Sequence, residues 1–183
     1  MNLYFRLFLF LLSLPFIKKV ASQNKIDFRH QSELFLRVWP NDLDIFNHMN
    51  NGRYLSLMDF GRFHLMAQFG AMKKAYQKGW SPAVGAIKIN YIRSLKLFDK
   101  YKLTTQLVCW DEKWVYIEQK FIKIDEKNNR EVLMSTALIK LLFVKKGQKI
   151  SSQELVNVFF SNGLESPEMP ENVRKWVEAE ALN

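Results

Sequence analysis

Residues 33–39 (ELFLRVW) alternate apolar and polar side chains, which predicts a half-buried strand. Pro40 and Asn41 end it, and Asn47 to Gly52 form a polar turn. From Tyr54 to Phe69 the chain is apolar almost all the way round, with Leu55, Leu57, Met58, Phe60, Phe63, Leu65, Met66 and Phe69. That pattern predicts a helix buried on every face, closed by Gly70. After Gly79 the period changes. Val84–Arg93, Lys100–Trp110, Trp114–Ile124 and Val132–Val144 read as strands, with turns at 111–113 and 125–129. Gln153–Phe160 and Pro170–Ala181 read as helices. One strand, one greasy helix and four consecutive strands predict an α+β domain. In it, a curled antiparallel sheet wraps the helix, and further helices follow at the C-terminus.

The segment before this body has a different character. Residues 3–17 (LYFRLFLFLLSLPFI) are apolar and are followed by Lys18 and Lys19. The run is shorter than the roughly 20 residues a membrane span needs, and Arg6 and Pro15 interrupt it. Three readings remain open. It is a helix in the membrane interface with Arg6, Lys18 and Lys19 near anionic headgroups. It is a signal peptide cleaved near Val20-Ala21-Ser22. Or it docks on the protein's own body. The expected organisation is an N-terminal hydrophobic and basic segment at 1–24, a main domain at 25–150 and a helical extension at 151–183.

The remaining composition narrows the function. In 183 residues, 48% are hydrophobic and 25% charged, as in a globular protein. The formal charge is +9, and residues 1–31 hold five basic residues against Asp27 alone. No nucleic-acid signature accompanies this charge, so no nucleic-acid partner is expected. The single cysteine, Cys109, excludes an intrachain disulfide and a cysteine-rich zinc site. Its apolar neighbours predict a buried thiol. No metal or cofactor is expected.

Candidate chemistry concentrates in residues 42–54 (DLDIFNHMNNGRY), with Asp42, Asp44, His48 and the amides Asn47, Asn50 and Asn51. The segment ends where a helix begins, and the free N–H groups there stabilise negative charge. A carboxylate beside such an N-terminus can activate water, or attack, while the N–H groups hold an oxyanion. A thioester suits this set, because a thiolate leaves with little acid help. On residue types alone, Asx turns and helix capping account for the same residues.

Asp42-Leu-Asp44, His48-Met-Asn50-Asn51 and Tyr54 resemble the D-x-D-x-x-x-H-x-N-N-x-x-Y pattern of the 4-hydroxybenzoyl-CoA thioesterase family of hotdog proteins. Asp59 and Arg62 match an acidic residue and an arginine frequent in that family. Tyr91-Ile-Arg93-Ser-Leu with Asp99 resembles its Y-x-R-P-L…D segment, with Ser94 in place of proline. The fit covers roughly residues 33–145. A nearer resemblance is to the thioesterase superfamily member six-like branch, through His48–Leu55, Arg93–Leu95, Cys109–Asp111, Pro167–Trp176 and the hydrophobic start.

The resemblance implies a hotdog fold and hydrolysis of a medium or long acyl-CoA. Asp44 would be nucleophile or general base, and the Asn51 N–H the oxyanion donor. His48 and Asn50 would orient the loop or polarise the carbonyl. Asp59 would position water, or merely pair with Arg62. Arg62 and Arg93 would meet coenzyme A phosphates. Asp42 reads as a turn former, His64 as a packed or surface residue, and His30 has no motif around it. The acyl chain would lie among Phe60, Phe63 and Met66. A homodimer or dimer of dimers is implied, in the cytoplasm and peripheral to the inner face of the membrane. The alternative is a non-catalytic acyl- or lipid-binding scaffold.

Overall fold

The structure is a computed structural model that describes residues 3–23, 27–125, 128–160 and 163–181. Helix α1 (Leu3–Gln23) precedes strand β1 (Gln31–Arg37). A 3-10 turn at Pro40–Asp42 leads through the polar loop to α2 (Asn51–Gln68) and α3 (Ala71–Lys78). Strands β2 (Ser81–Tyr91), β3 (Lys100–Trp110), β4 (Val115–Asp125) and β5 (Arg130–Lys145) follow. A short β6 (Gln148–Ile150), α4 (Ser152–Phe159) and α5 (Glu171–Ala181) complete the chain.

The strands pair antiparallel in the order β1-β3-β4-β5-β2, with β6 on β5. Short polar turns join the consecutive strands β3, β4 and β5 into the centre of this ladder, while β1 and β2 pair across longer connections at its two ends. Within the ladder, β2 shifts register between Val84 and Ala86. Gly85 stands at that shift because an added Cβ would lie 2.4 Å from the Trp114 ring.

Helix α2 lies on the sheet. Its Leu57 and Met58 and the sheet residues Leu103, Phe121 and Ile139 are fully buried in one core. Gly61 lets the helix approach: a Cβ there would sit 2.6 Å from both Gln119 Nε2 and Thr105 Oγ1. Gln119 bridges the two layers, donating from Nε2 to Met58 O at 3.1 Å and to Thr105 Oγ1 at 2.9 Å. The expectation that α2 is buried on all faces needs correction. Asn51, Leu55, Asp59 and Phe63, four residues apart, form an exposed stripe.

Gly70, with φ of 65°, ends α2 as expected, but the chain then starts the unforeseen α3. Only Ala71 and Ala75 of α3 are buried, so the apolar pattern that would have announced it is two alanines long. Helix α4 adds Leu155, Val156 and Phe159 to the main core. Helix α5 packs Val173 and Trp176 in a second cluster with Cys109 and Tyr116. Burial, helped by Asp111, pushes the Cys109 thiol up to about 12.

Helix α1 docks on the body through one face. Phe10 meets Phe60 edge to face at 5.8 Å, and Arg6 reaches inward to the Asp42 carboxylate and to Arg37 O. Arg6 is only 6% exposed, so it is not the headgroup contact that its charge predicted. The Lys18 and Lys19 side chains, the Val20–Ser22 side chains and residue 24 lie outside the described residues, as do 126 and 127 of the 125–129 turn. The other face of α1 leaves Tyr4, Phe5, Phe8, Leu11 and Leu12 exposed. Among the described residues, no helix is long and apolar enough to cross a membrane.

Candidate active site

The loop between the 3-10 turn and α2 is tied down at both ends. Asp42, 2% exposed, accepts from Trp39 N and pairs with Arg6. Its backbone oxygen accepts from Asn50 N at 2.8 Å. Arg53 approaches the same carboxylate at 3.8 Å. Asp42 is therefore a buried anchor for the loop, a larger role than the turn former its position suggested. Met49 N donates to Leu95 O at 2.8 Å, which fastens the loop to the segment between β2 and β3.

Between these anchors the chain turns tightly. Asp44 N donates to His48 O at 2.8 Å, and Asn47 N donates to Asp44 O at 3.1 Å. Asn47 adopts φ of 59°, a left-handed conformation that asparagine tolerates better than most residues. The turn aims two N–H groups at one Asp44 oxygen: Oδ1 accepts from Phe46 N at 2.9 Å and from His48 N at 3.2 Å. The carboxylate is thus held in one orientation. Among the described residues no donor engages its other oxygen.

Helix α2 starts at Asn51. The Asn50 side chain caps it, accepting from Gly52 N at 2.9 Å, while Arg53 N donates to Asn50 O. The first N–H of the helix, that of Asn51, has no acceptor among the described residues and stands at the positive end of the helix dipole. Tyr91 on β2 donates its hydroxyl to Asn51 O at 3.1 Å and packs edge on to Tyr54. Its involvement was missed in the sequence, where it appeared only as a letter of a motif. Burial raises the Tyr54 phenol above its ordinary value, so it stays protonated near neutrality.

Asp44, His48, Asn51, Tyr54, Tyr91 and Arg93 line one pocket of about 220 Å³. Arg93 is exposed at its rim. Four of the expected site residues therefore come together, and Asn50 sits beneath them as the cap. Two do not join them. Asp59 lies about 12 Å further along α2 from Asn51, at 1.5 Å per residue, and pairs with Arg62 one turn away. Arg62, expected at phosphates, is buried: Nη1 donates to Gln119 Oε1 at 3.1 Å and Nη2 to Asp59. Burial pushes its guanidinium below the ordinary value against the pull of Asp59. These two residues border a different cavity, of about 170 Å³, between α2, the sheet and α4. Phe63 and Met66 line that cavity, whereas Phe60 turns to the other side, toward α1.

Comparison with known proteins agrees with this geometry. A profile of the family described as the thioesterase-like superfamily matches residues 38–177, so the likeness runs past the sheet into α5. The chain is 36% identical over 140 residues to the protein THEM6 of Xenopus laevis, covering 76% of this chain and 64% of that protein. It is 34% identical over 145 residues to THEM6 of Drosophila melanogaster, covering 78% and 69%. It thus spans about two thirds of the length of these curated relatives. Among solved structures, a 4-hydroxybenzoyl-CoA thioesterase bound to 4-hydroxybenzoyl-CoA superposes with a TM-score of 0.65 at 10% identity, covering 70% of this chain and 98% of that one. YbaW, a probable thioesterase of Escherichia coli, gives 0.57 at 20% identity, with 69% and 97% covered. The curled sheet around α2 is therefore the hotdog fold, and the chain belongs to the thioesterase-like superfamily.

Proposed function

We propose that the chain hydrolyses acyl-CoA thioesters, with a medium or long fatty acyl group as the acyl part. The observation that carries this reading is Asp44, one oxygen held by two N–H groups, lining the same pocket as Asn51, whose N–H opens helix α2 without an acceptor among the described residues. Asp44 attacks the thioester carbon, or takes a proton from the water that does. As the carbonyl oxygen gains charge, the Asn51 N–H and the α2 dipole stabilise it. The C–S bond then breaks, the coenzyme leaves as a thiolate, and water supplies the oxygen of the free acid. With a thiol pKa near 8.5, the leaving group needs little acid catalysis. His48 holds Asp44 through its backbone and borders the pocket. Arg93, exposed at the rim, is the cation for coenzyme A phosphates.

A homodimer or dimer of dimers fits β2, an eleven-residue strand at the end of the sheet order with Val84 and Tyr91 exposed. The apolar outer face of α1 suits contact with the cytoplasmic face of a membrane.

Thiol release from a panel of aliphatic and aromatic acyl-CoAs tests the reading, with Asp44→Asn and Asp44→Ala beside the wild-type chain. Both substitutions are expected to slow turnover more than about a hundredfold, roughly 3 kcal/mol of barrier, and Asp44→Asn, which keeps an acceptor for Phe46 N and His48 N, should do so with little change in thermal unfolding. No release from any acyl-CoA by folded wild-type protein would sink the proposal in favour of acyl or lipid binding without turnover.

A further inference from the structure

We infer that the C-terminal helix α4 forms the end wall of the acyl-tail site, and that Phe159 and Phe160 set the longest chain the protein accepts. The inference rests on the proposed thioesterase reading and names the substrate class of that site more narrowly, as an unbranched aliphatic acyl group of limited length.

The cavity of about 170 Å³ lies under α2 and is lined almost wholly by apolar side chains, Met66, Leu107, Ile117 and Leu141 among them. Protein interiors leave few voids larger than a water molecule, so an apolar space of this size is suited to a ligand that fills it. Among the described residues lining it, the charged ones are Asp59 and Arg62, which pair with each other. Fifteen apolar residues of the lining against one ion pair favour a plain hydrocarbon chain.

The cavity also lies where a tail would arrive. Phe63, 37% exposed, marks its opening on α2, beside the β2 edge proposed above for the dimer. From there the exposed stripe Asp59, Leu55, Asn51 climbs α2 in steps of four residues to the candidate oxyanion donor. Phe63 lies about 18 Å along the helix axis from Asn51. An extended chain with its carbonyl over the Asn51 N–H can follow this stripe and turn its end into the cavity.

The far end is closed by aromatic rings. Phe160 packs against Phe69 at 4.7 Å, and Phe159 against Phe143 at 5.5 Å. Helix α4 is fixed in this place. Ser151 caps its start by accepting from Glu154 N, and Lys74 of α3 donates to the carbonyl oxygens of Val158 and Phe159 near its end. A wall held by hydrogen bonds at both ends can discriminate length, because a tail that is too long must displace it.

The experiment measures kcat/KM of the full chain for saturated acyl-CoAs from hexanoyl to octadecanoyl, in wild type, Phe160→Ala and Met66→Trp. Calorimetric binding of the matching free fatty acids gives a readout independent of turnover. Phe160→Ala opens the end and is expected to raise the long-to-medium selectivity ratio by about tenfold or more, the scale set by one or two methylenes in an apolar pocket. Met66→Trp fills the cavity and is expected to lower that ratio. Equal profiles in all three folded proteins, by turnover and by binding, would overturn the inference while leaving the thioesterase reading intact. Absence of thiol release with retained length-dependent binding would overturn the catalytic reading alone.

Discussion

Arg6 and Asp42, 36 residues apart in the chain, form a buried ion pair that joins the N-terminal helix to the root of the candidate catalytic loop. Asp42 in turn holds Asn50, the residue that caps α2. The apolar N-terminal segment is thereby connected to the chemistry through two residues. Breaking a buried pair from one side leaves an uncompensated charge, which costs about 3–5 kcal/mol. Arg6→Met is expected near the lower end, because Trp39 N and Arg53 still face Asp42. Arg6→Met combined with Asp42→Asn should cost less than the two single changes added together. Urea unfolding of the three variants measures this, and strict additivity would mean the pair is not coupled in solution.

The cap beneath the oxyanion donor gives a second expectation. Asn50→Ala removes the acceptor for Gly52 N and should cost about 1 kcal/mol of stability. Turnover should fall further than stability, because the Asn51 N–H loses its fixed direction. Asn50→Asp restores an acceptor and should recover most of the stability. Parallel denaturation and kinetic measurements separate the two effects.

Gly61 carries the close contact between α2 and the sheet. Alanine there is favoured by helix propensity but would press on Gln119 and Thr105, both fully buried. Overpacking of this kind costs about 1–3 kcal/mol. Gly61→Ala should therefore lower the melting temperature, and a rise would show that Gln119 can move aside.

Cys109, raised to about 12 chiefly by burial, should resist alkylation at mildly alkaline pH in the folded protein. In urea it should react fully, as an ordinary thiol with a pKa near 8.5 does. Mass spectrometry after timed iodoacetamide exposure distinguishes the two states, and rapid labelling without denaturant would contradict the burial.

His64 offers a pH test. It is buried, with Nδ1 2.5 Å from Ser32 Oγ, and burial followed by the charge of His30 pushes its pKa below 6.5. The unfolded chain then binds this proton more readily than the folded one. The stability linked to neutral His64 is full above about pH 6.5 and is lost as pH falls through the folded value. His64→Gln should flatten that part of the stability profile, measured by denaturant midpoints from about pH 8 to about pH 5.

The sequence by itself determined the hotdog order of elements and the place of the polar loop. Strand alternation, the greasy helix and the motif ending at Asn50 and Asn51 are short-range patterns, and the hydrogen bonds that fix Asp44 span no more than four residues. Residues so close in the chain are positioned by local turn and cap geometry, which residue types announce. Tertiary structure alone decided the rest. Arg6 could be read only as a charge in an apolar run until its partner was placed beside it, 36 residues on. Asp59 and Arg62 lie on the same helix as Asn51, yet the rise along the helix puts them over a different cavity. Gln119 gives Arg62 its buried acceptor from 57 residues away, and α4 closes that cavity from the far end of the chain. Which surfaces cover one another depends on the whole chain minimising exposed apolar area at once, and no local window carries that information.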